Sequence, residues 1–128
     1  MPKASMKLLQ GDCKTLIARL PSKSVDMVLT SPPYDNLRSY NGQSVFSFKD
    51  FVQLAAELQR VLKKGGIIVW VVGDAVIKGS ESGTSFRQAL HFKSIGLRLH
   101  DTMIYQKSGF AFPMKNRSHQ LFEYMFIF

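Results

Sequence analysis

A serine, two prolines and a tyrosine at residues 31–34 follow directly on the apolar run VDMVLT of residues 25–30. Two prolines in succession fix φ at both positions and remove two backbone donors. The result is a stiff loop whose carbonyls are not committed to regular pairing. Ser31 offers a side-chain oxygen, Pro32 a backbone oxygen and Tyr34 a flat aromatic face, with Pro33 shaping the loop. Those groups suit a planar ring bearing an exocyclic amino group, giving two acceptors for its two hydrogens and one surface to stack on. The amino nitrogen of cytosine or adenine is a poor nucleophile, because its lone pair is delocalised into the ring. Two aimed acceptors favour the pyramidal form and point that lone pair at an electrophile. This is electrostatic preorganisation and needs no activated side-chain nucleophile. The plainer alternative is that Pro-Pro only ends a strand and the hydroxyl only caps a turn.

The elements that must position this loop alternate between strand and helix. Residues 6–12, MKLLQGD, read as a short strand. Asp12 then caps a helix from Cys13 to Leu20, whose Leu16, Ile17 and Leu20 share one face and which Pro21 stops. Residues 24–31 read as a strand, and the unbroken Val28-Leu29 predicts burial on both faces. Ser47 precedes an amphipathic helix over about residues 48–64, with Phe48, Phe51, Ala55, Leu58 and Leu62 at helical spacing and Gly65-Gly66 ending it. Residues 66–72 form the clearest strand, rich in β-branched side chains. A third helix fits residues 84–94, and two closing strands, antiparallel to each other, fit residues 97–107 and 120–128. The expected fold is α/β, an open and mostly parallel sheet with an antiparallel edge pair, in one domain over residues 1–128. Ligands in such sheets bind beyond the carboxyl ends of the strands, where both Asp12 and residues 30–34 fall.

Composition narrows the class. At 128 residues and 45% hydrophobic the chain is long and apolar enough for one globular core. It has no apolar run near the roughly 20 residues of a membrane span, and no signal-peptide core at its start. Cys13 is the single cysteine, which excludes an intrachain disulfide and a cysteine metal site and fits a cytoplasmic setting with no membrane partner. The net charge of +8 is spread along the chain and predicts a phosphate-bearing partner. Arg38, Lys107, Lys115 and Arg117 lie on or beside predicted loops, where phosphate contact and solvated surface charge are both open readings. His91, His100 and His119 lack metal-ligand spacing and read as structural, so no metal is expected. Asp74 ends a strand on the site side, as a turn residue or more. Phe110, Phe112 and Phe122 read as core or interface rather than as base-stacking groups.

The stretch VDMVLTSPPY resembles the catalytic loop of amino-directed DNA methyltransferases of the permuted (beta) group, which use S-adenosylmethionine to methylate cytosine N4 or adenine N6. The likeness extends to LLQGDCKTLIARLPSKSVDMVLTSPPYDNLRSY, to LQRVLKKGGIIVWVVGDAVIKGSESGTSFRQAL and to the late segments IGLRLHDTMIYQK and HQLFEYMFIF, nearly the whole chain. The resemblance implies that Ser31, Pro32 and Tyr34 hold the target base, flipped out of the duplex. It places Asp12 where the family's acidic residue meets the adenosine part of the cofactor, a role compatible with capping a helix. It makes DNA the partner and Arg38, Lys107 and Arg117 candidate DNA contacts. The family's loop begins with Ser mainly in cytosine-N4 enzymes and with Asp mainly in adenine-N6 enzymes, so Ser31 favours cytosine.

The family's glycine-rich FxGxG turn and its ribose-binding acidic residue are not in this sequence; in the permuted group they follow the late strand pair. Residues 79–86, GSESGTSF, contain glycine but match a different loop of the family. Without the strands that carry those motifs, the first strand has no neighbour and the strand leading to the loop shows an open apolar edge. The expectation is half of a split or truncated enzyme, completed by a second polypeptide or by self-association, with poor cofactor binding alone. The alternative is an inactive remnant that binds DNA or protein. A third reading, an RNA or protein amide substrate, is disfavoured because those relatives begin the loop with Asn.

Overall fold

A computed structural model describes residues 4–33, 46–109 and 116–128. The described elements are α1 (Cys13–Ala18), β1 (Val25–Thr30), α2 (Phe48–Val61), β2 (Leu62–Val72), β3 (Val76–Ile77), β4 (Ser80–Glu81), α3 (Thr84–Ser94), β5 (Asp101–Gln106) and β6 (Phe122–Ile127). Four strands form one sheet in the order β1-β2-β6-β5, and β3 and β4 form a separate hairpin. β1 runs parallel to β2, while β6 runs antiparallel to both β2 and β5. Three strands therefore point one way and β6 alone runs against them, in agreement with a mostly parallel sheet closed by an antiparallel pair.

Helix α2 forms because its apolar side chains recur on one face. Phe51, Leu54, Ala55, Leu58 and Val61 are all buried. Ser47 and Asp50 close its start as a reciprocal capping box: the Asp50 amide donates to Ser47 Oγ at 3.2 Å and the Ser47 amide to Asp50 Oδ2 at 3.0 Å. Its buried face meets Ile68, Trp70 and Val72 of β2, Phe126 of β6 and Ala89 and Phe92 of α3 in one core. The centre is aromatic, with Trp70 and Phe51 each edge-on to neighbouring rings and Trp70 5.1 Å from Phe92. Truncating a ring such as Phe51 to alanine costs about 3–5 kcal/mol in cores of this kind. The indole N–H of Trp70 donates to Gln88 Oε1 of α3 at 2.8 Å, so the one polar atom of that ring is satisfied inside the core.

Helix α1 lies beside α2 and is tied to it at both ends. Lys14 Nζ donates to Asp50 Oδ1 at 2.6 Å at one end. At the other end the Arg60 guanidinium donates to the carbonyls of Ile17 at 3.1 Å and Leu20 at 2.9 Å, while Glu57 braces it at 2.7 Å. A single arginine thus ties the end of this helix of 6 residues and the turn after it to α2.

Several boundaries differ from the sequence reading, among them β5, which begins at Asp101 rather than near residue 97. Residues 6–12 carry no strand, and Met6 and Leu8 are exposed at 85% and 84%. A strand needs a neighbour for its backbone donors and acceptors, and β1 has β2 as its partner on one side and none on the other among the described residues. Helix α1 stops at Ala18, where the Arg60 clamp takes over. Helix α2 stops at Val61 rather than near residue 64, because Leu62 already pairs with Val25 of β1. The register then jumps, with Met27 opposite Ile67, so residues 63–66 bulge out of the ladder. Gly66 is required there, since a Cβ would lie 2.9 Å from Leu62 carbons and 3.0 Å from the Asp26 carbonyl oxygen.

The sheet is covered on one face only by the described helices. Residues alternate along each strand, so Val28, Ile68, Trp70, Val72 and Phe126 face α2 and α3. The opposite face carries Met27 (54% exposed), Leu29 (68%), Ile67 (44%), Met103 (49%) and Tyr105 (52%). The expectation that β1 is buried on both faces is therefore not met: Val28 and Thr30 are half-buried on one face and Met27 and Leu29 are exposed on the other.

Candidate functional site

The geometry of the candidate site follows from β1 and β2. Thr30, the last residue of β1, sits opposite Trp70, so Ser31 and Pro32 leave the sheet beside Val71 and Val72. Pro32 is buried there, while Ser31 and Pro33 on either side of it are exposed. The buried ring anchors the chain where it leaves the strand, with the exposed Ser31 directly before it. Tyr34, Arg38 and Lys115 lie outside the described residues.

Helix α2 ends where β2 begins, so its 14 residues, about 21 Å long, run back toward the carboxyl edge of β1. Its start at Ser47 therefore lies near the same edge as Ser31. The Lys14–Asp50 contact of 2.6 Å brings the start of α1, and Asp12 with it, to that edge too. Asp12 is exposed and caps α1, with Oδ1 accepting from the amides of Lys14 at 2.9 Å and Thr15 at 3.2 Å. Both cap bonds fall on one carboxylate oxygen, which leaves Oδ2 outside the cap. The Lys14 ammonium, with the Ser47 hydroxyl and amide, holds the Asp50 carboxyl far below the usual carboxylate range. Asp50 in turn raises the Lys14 ammonium above its ordinary value.

Asp74 is the residue whose role the sequence understated. The residue before helix α3, at its cap position, is Gly83, which has no side chain to cap it. Asp74, at the end of β2, does so from a distance: Oδ1 accepts from the Ser85 amide at 2.9 Å and from Ser82 Oγ at 3.0 Å, and Oδ2 accepts from Ser85 Oγ. Ser85 is fully buried, so this carboxylate bolts α3 and the loop before it to the site edge of β2. The signal in sequence is an Asp at a strand end followed by serines at residues 82 and 85, which reads equally as a turn.

The two described candidates for DNA contact are both engaged within the chain. Lys107 Nζ donates to Glu123 Oε1 at 3.0 Å. Arg117 donates to the Gly79 carbonyl and lies 4.0 Å from Glu81. The structure does not bring Lys107 to residues 31–33; it sits just past the end of β5, at the far side of the sheet. No group of three or more His, Cys, Asp or Glu side chains could hold a metal among the described residues, and no helix there is long and apolar enough to cross a membrane.

Residues 25–128, from the first residue of β1 onward, match the family described as DNA methylase, with N6 and N4 specificity in its name. The chain belongs to this DNA methylase family. The orphan methyltransferase M.BamHII of Bacillus amyloliquefaciens is 56% identical over 123 residues, which are 96% of this chain and 41% of that protein. The type II methyltransferase M.SmaI of Serratia marcescens is 34% identical over 86 residues, 61% of this chain and 30% of the relative. Among solved structures, a Thermus thermophilus chain described as a DNA modification methylase, complexed with S-adenosyl-L-methionine, superposes with a TM-score of 0.69 at 25% identity. That match covers 91% of this chain and 52% of the other. The cytosine-N4-specific PvuII DNA methyltransferase shares the fold at a TM-score of 0.73 and 23% identity, over 46% of its length. The chain therefore spans about half, or less, of the relatives it matches.

Proposed function

We propose that residues 31–34 hold the exocyclic amino group of a flipped-out DNA base, cytosine N4 in preference to adenine N6, for methylation by S-adenosylmethionine. The observation that carries this reading is the exit of β1. A buried Pro32 fixes the backbone while the exposed Ser31 hydroxyl flanks it, at the sheet edge that a ligand reaches. Ser31 Oγ and the Pro32 carbonyl accept the two amino hydrogens and turn the nitrogen lone pair outward. Extruding the base costs a few kcal/mol, and stacking on Tyr34 returns about 1–3 kcal/mol. The nitrogen would take the methyl group as the sulfonium S–C bond breaks to leave a neutral thioether, and would shed one proton through the Ser31 hydroxyl or to solvent.

S-adenosylmethionine supplies an electrophilic methyl group on its sulfonium. Asp12 fits its adenosine end, because Oδ2 is outside the helix cap and the residue is exposed. The nearby acidic group, Asp50, is engaged by Lys14 and Ser47 rather than free for the ribose. We assign that part, with the glycine-rich turn, to polypeptide beyond these residues. Its natural seat is the open edge of β1 and the exposed face of Met27, Leu29 and Ile67. DNA is the partner, the setting is cytoplasmic, and residues 1–128 act as one unit.

Titrating S-adenosylmethionine into this chain calorimetrically is the direct test of the division of labour. Weak or no binding, restored when the remaining half is supplied, supports it; strong one-to-one binding by a monomer overturns it. For the base site, Tyr34→Ala should abolish methyl transfer by the active assembly and leave the circular dichroism unchanged. Transfer at the wild-type rate would overturn the role of the loop.

A further inference from the structure

The β3–β4 hairpin stands at the same sheet edge as the loop. β2 ends at Val72 and the hairpin begins at Val76, one strand over from the exit of Ser31. Two strands of 2 residues each cannot hold together unaided. This hairpin is braced from outside. The Ser82 amide donates to the Ala75 carbonyl at 2.8 Å, Asp74 accepts from Ser82 Oγ at 3.0 Å, and Arg117 donates to the Gly79 carbonyl. At its tip Val76 and Ile77 are exposed at 43% and 55%. The turn is made by Lys78 at φ 49° and Gly79 at φ 80°. Positive φ at both central residues is the tight hairpin turn whose twist matches the strands, for which Asn or Gly is the undemanding choice at the first position. A lysine there accepts backbone strain to place a cation at the tip. Glu81, the acidic residue of the hairpin, is turned to Arg117 at 4.0 Å.

We propose that this hairpin is a duplex-contacting element, with Lys78 on backbone phosphate and the aliphatic pair Val76–Ile77 pressed against the base stack beside the extruded nucleotide. The proposal rests on the base-flipping reading above and adds a surface to it. A rigid projection with an apolar tip and a flanking cation matches the way proteins hold a duplex open, where inserted aliphatic side chains replace lost stacking. It also reassigns Arg117, which acts as a brace for the hairpin.

The test is fluorescence anisotropy of the full chain with a labelled mixed-sequence duplex, and with the same duplex carrying one mismatched pair, over a series of salt concentrations. Opening is cheaper at a mismatch, so the wild-type chain should prefer that duplex. Lys78→Ala should reduce the salt slope by about 0.9 on both duplexes, one phosphate contact. Ile77→Ser should leave matched-duplex binding unchanged and bring the mismatch preference toward parity. Both side chains are solvent-exposed, and unchanged circular dichroism confirms the fold. Wild-type slope and preference in both variants overturn the proposal, as does a wild type that lacks the preference or binds a protein partner but no duplex. If the hairpin dependence holds while the complete assembly transfers no methyl group, the hairpin stands and the proposed reaction falls.

Discussion

At the scale of single residues, the candidate site is built from side chains that do two jobs. Asp12 closes a helix and, in the proposed function, faces a cofactor; one oxygen serves each. Asp50 closes α2 and anchors α1 through Lys14, and its ionisation is the linked quantity. Its folded pKa lies below the ordinary 3.8, so the pair stabilises the fold fully above that value and loses its contribution as the pH falls below it. Thermal unfolding between pH 5 and pH 2 should therefore show a wild-type stability loss that is smaller in Asp50→Asn, with the neutral-pH stability of the variant lower (about pH 5 to pH 2 is the window set by the acid side of the shift). Equal slopes for both proteins would remove Asp50 from the acid transition.

Elements were legible where periodicity spoke and illegible where a distant side chain decided. The apolar spacing of Phe48, Phe51, Ala55, Leu58 and Leu62 and the Ser47 cap placed α2 from sequence, and the run from Ile67 to Val72 placed β2. The end of α2 was not legible, because it is set by Leu62 pairing with Val25 across a chain separation no local pattern records. The start of α3 at residue 84 was legible, but its cap was not, because it comes from Asp74 rather than from the residue before the helix. The end of β1 before Ser31-Pro32-Pro33 was readable because prolines act locally; the hairpin beside it was not, because its braces come from Asp74 and Arg117. The α3 cap makes a prediction at this scale. Asp74→Ala leaves the buried Ser85 amide and hydroxyl without their acceptor and should cost about 1–3 kcal/mol in urea unfolding. Hydrogen exchange should quicken in residues 75–88 first. A variant as stable as wild type would mean that water replaces the carboxylate.

For the whole molecule, the decisive feature is a sheet packed on one side. Helices α2 and α3 and the aromatic core occupy one face, while Met27, Leu29, Ile67, Met103 and Tyr105 stand exposed on the other. Exposed apolar area of that kind drives association when its partner is missing. The chain alone should sediment with a concentration-dependent mass, and Met27→Gln with Leu29→Gln should reduce that dependence with the core intact. A strictly monomeric wild type at high concentration would show that the face is tolerated in water. Trp70, the one tryptophan in the sequence, stands where these layers meet, fully buried, edge-on to Phe51 and Phe92 and bonded to Gln88. Its light emission is thus a built-in gauge: docking on the outer face or at the hairpin should leave its colour unchanged, and a red shift can arise only when the aromatic centre itself opens to water.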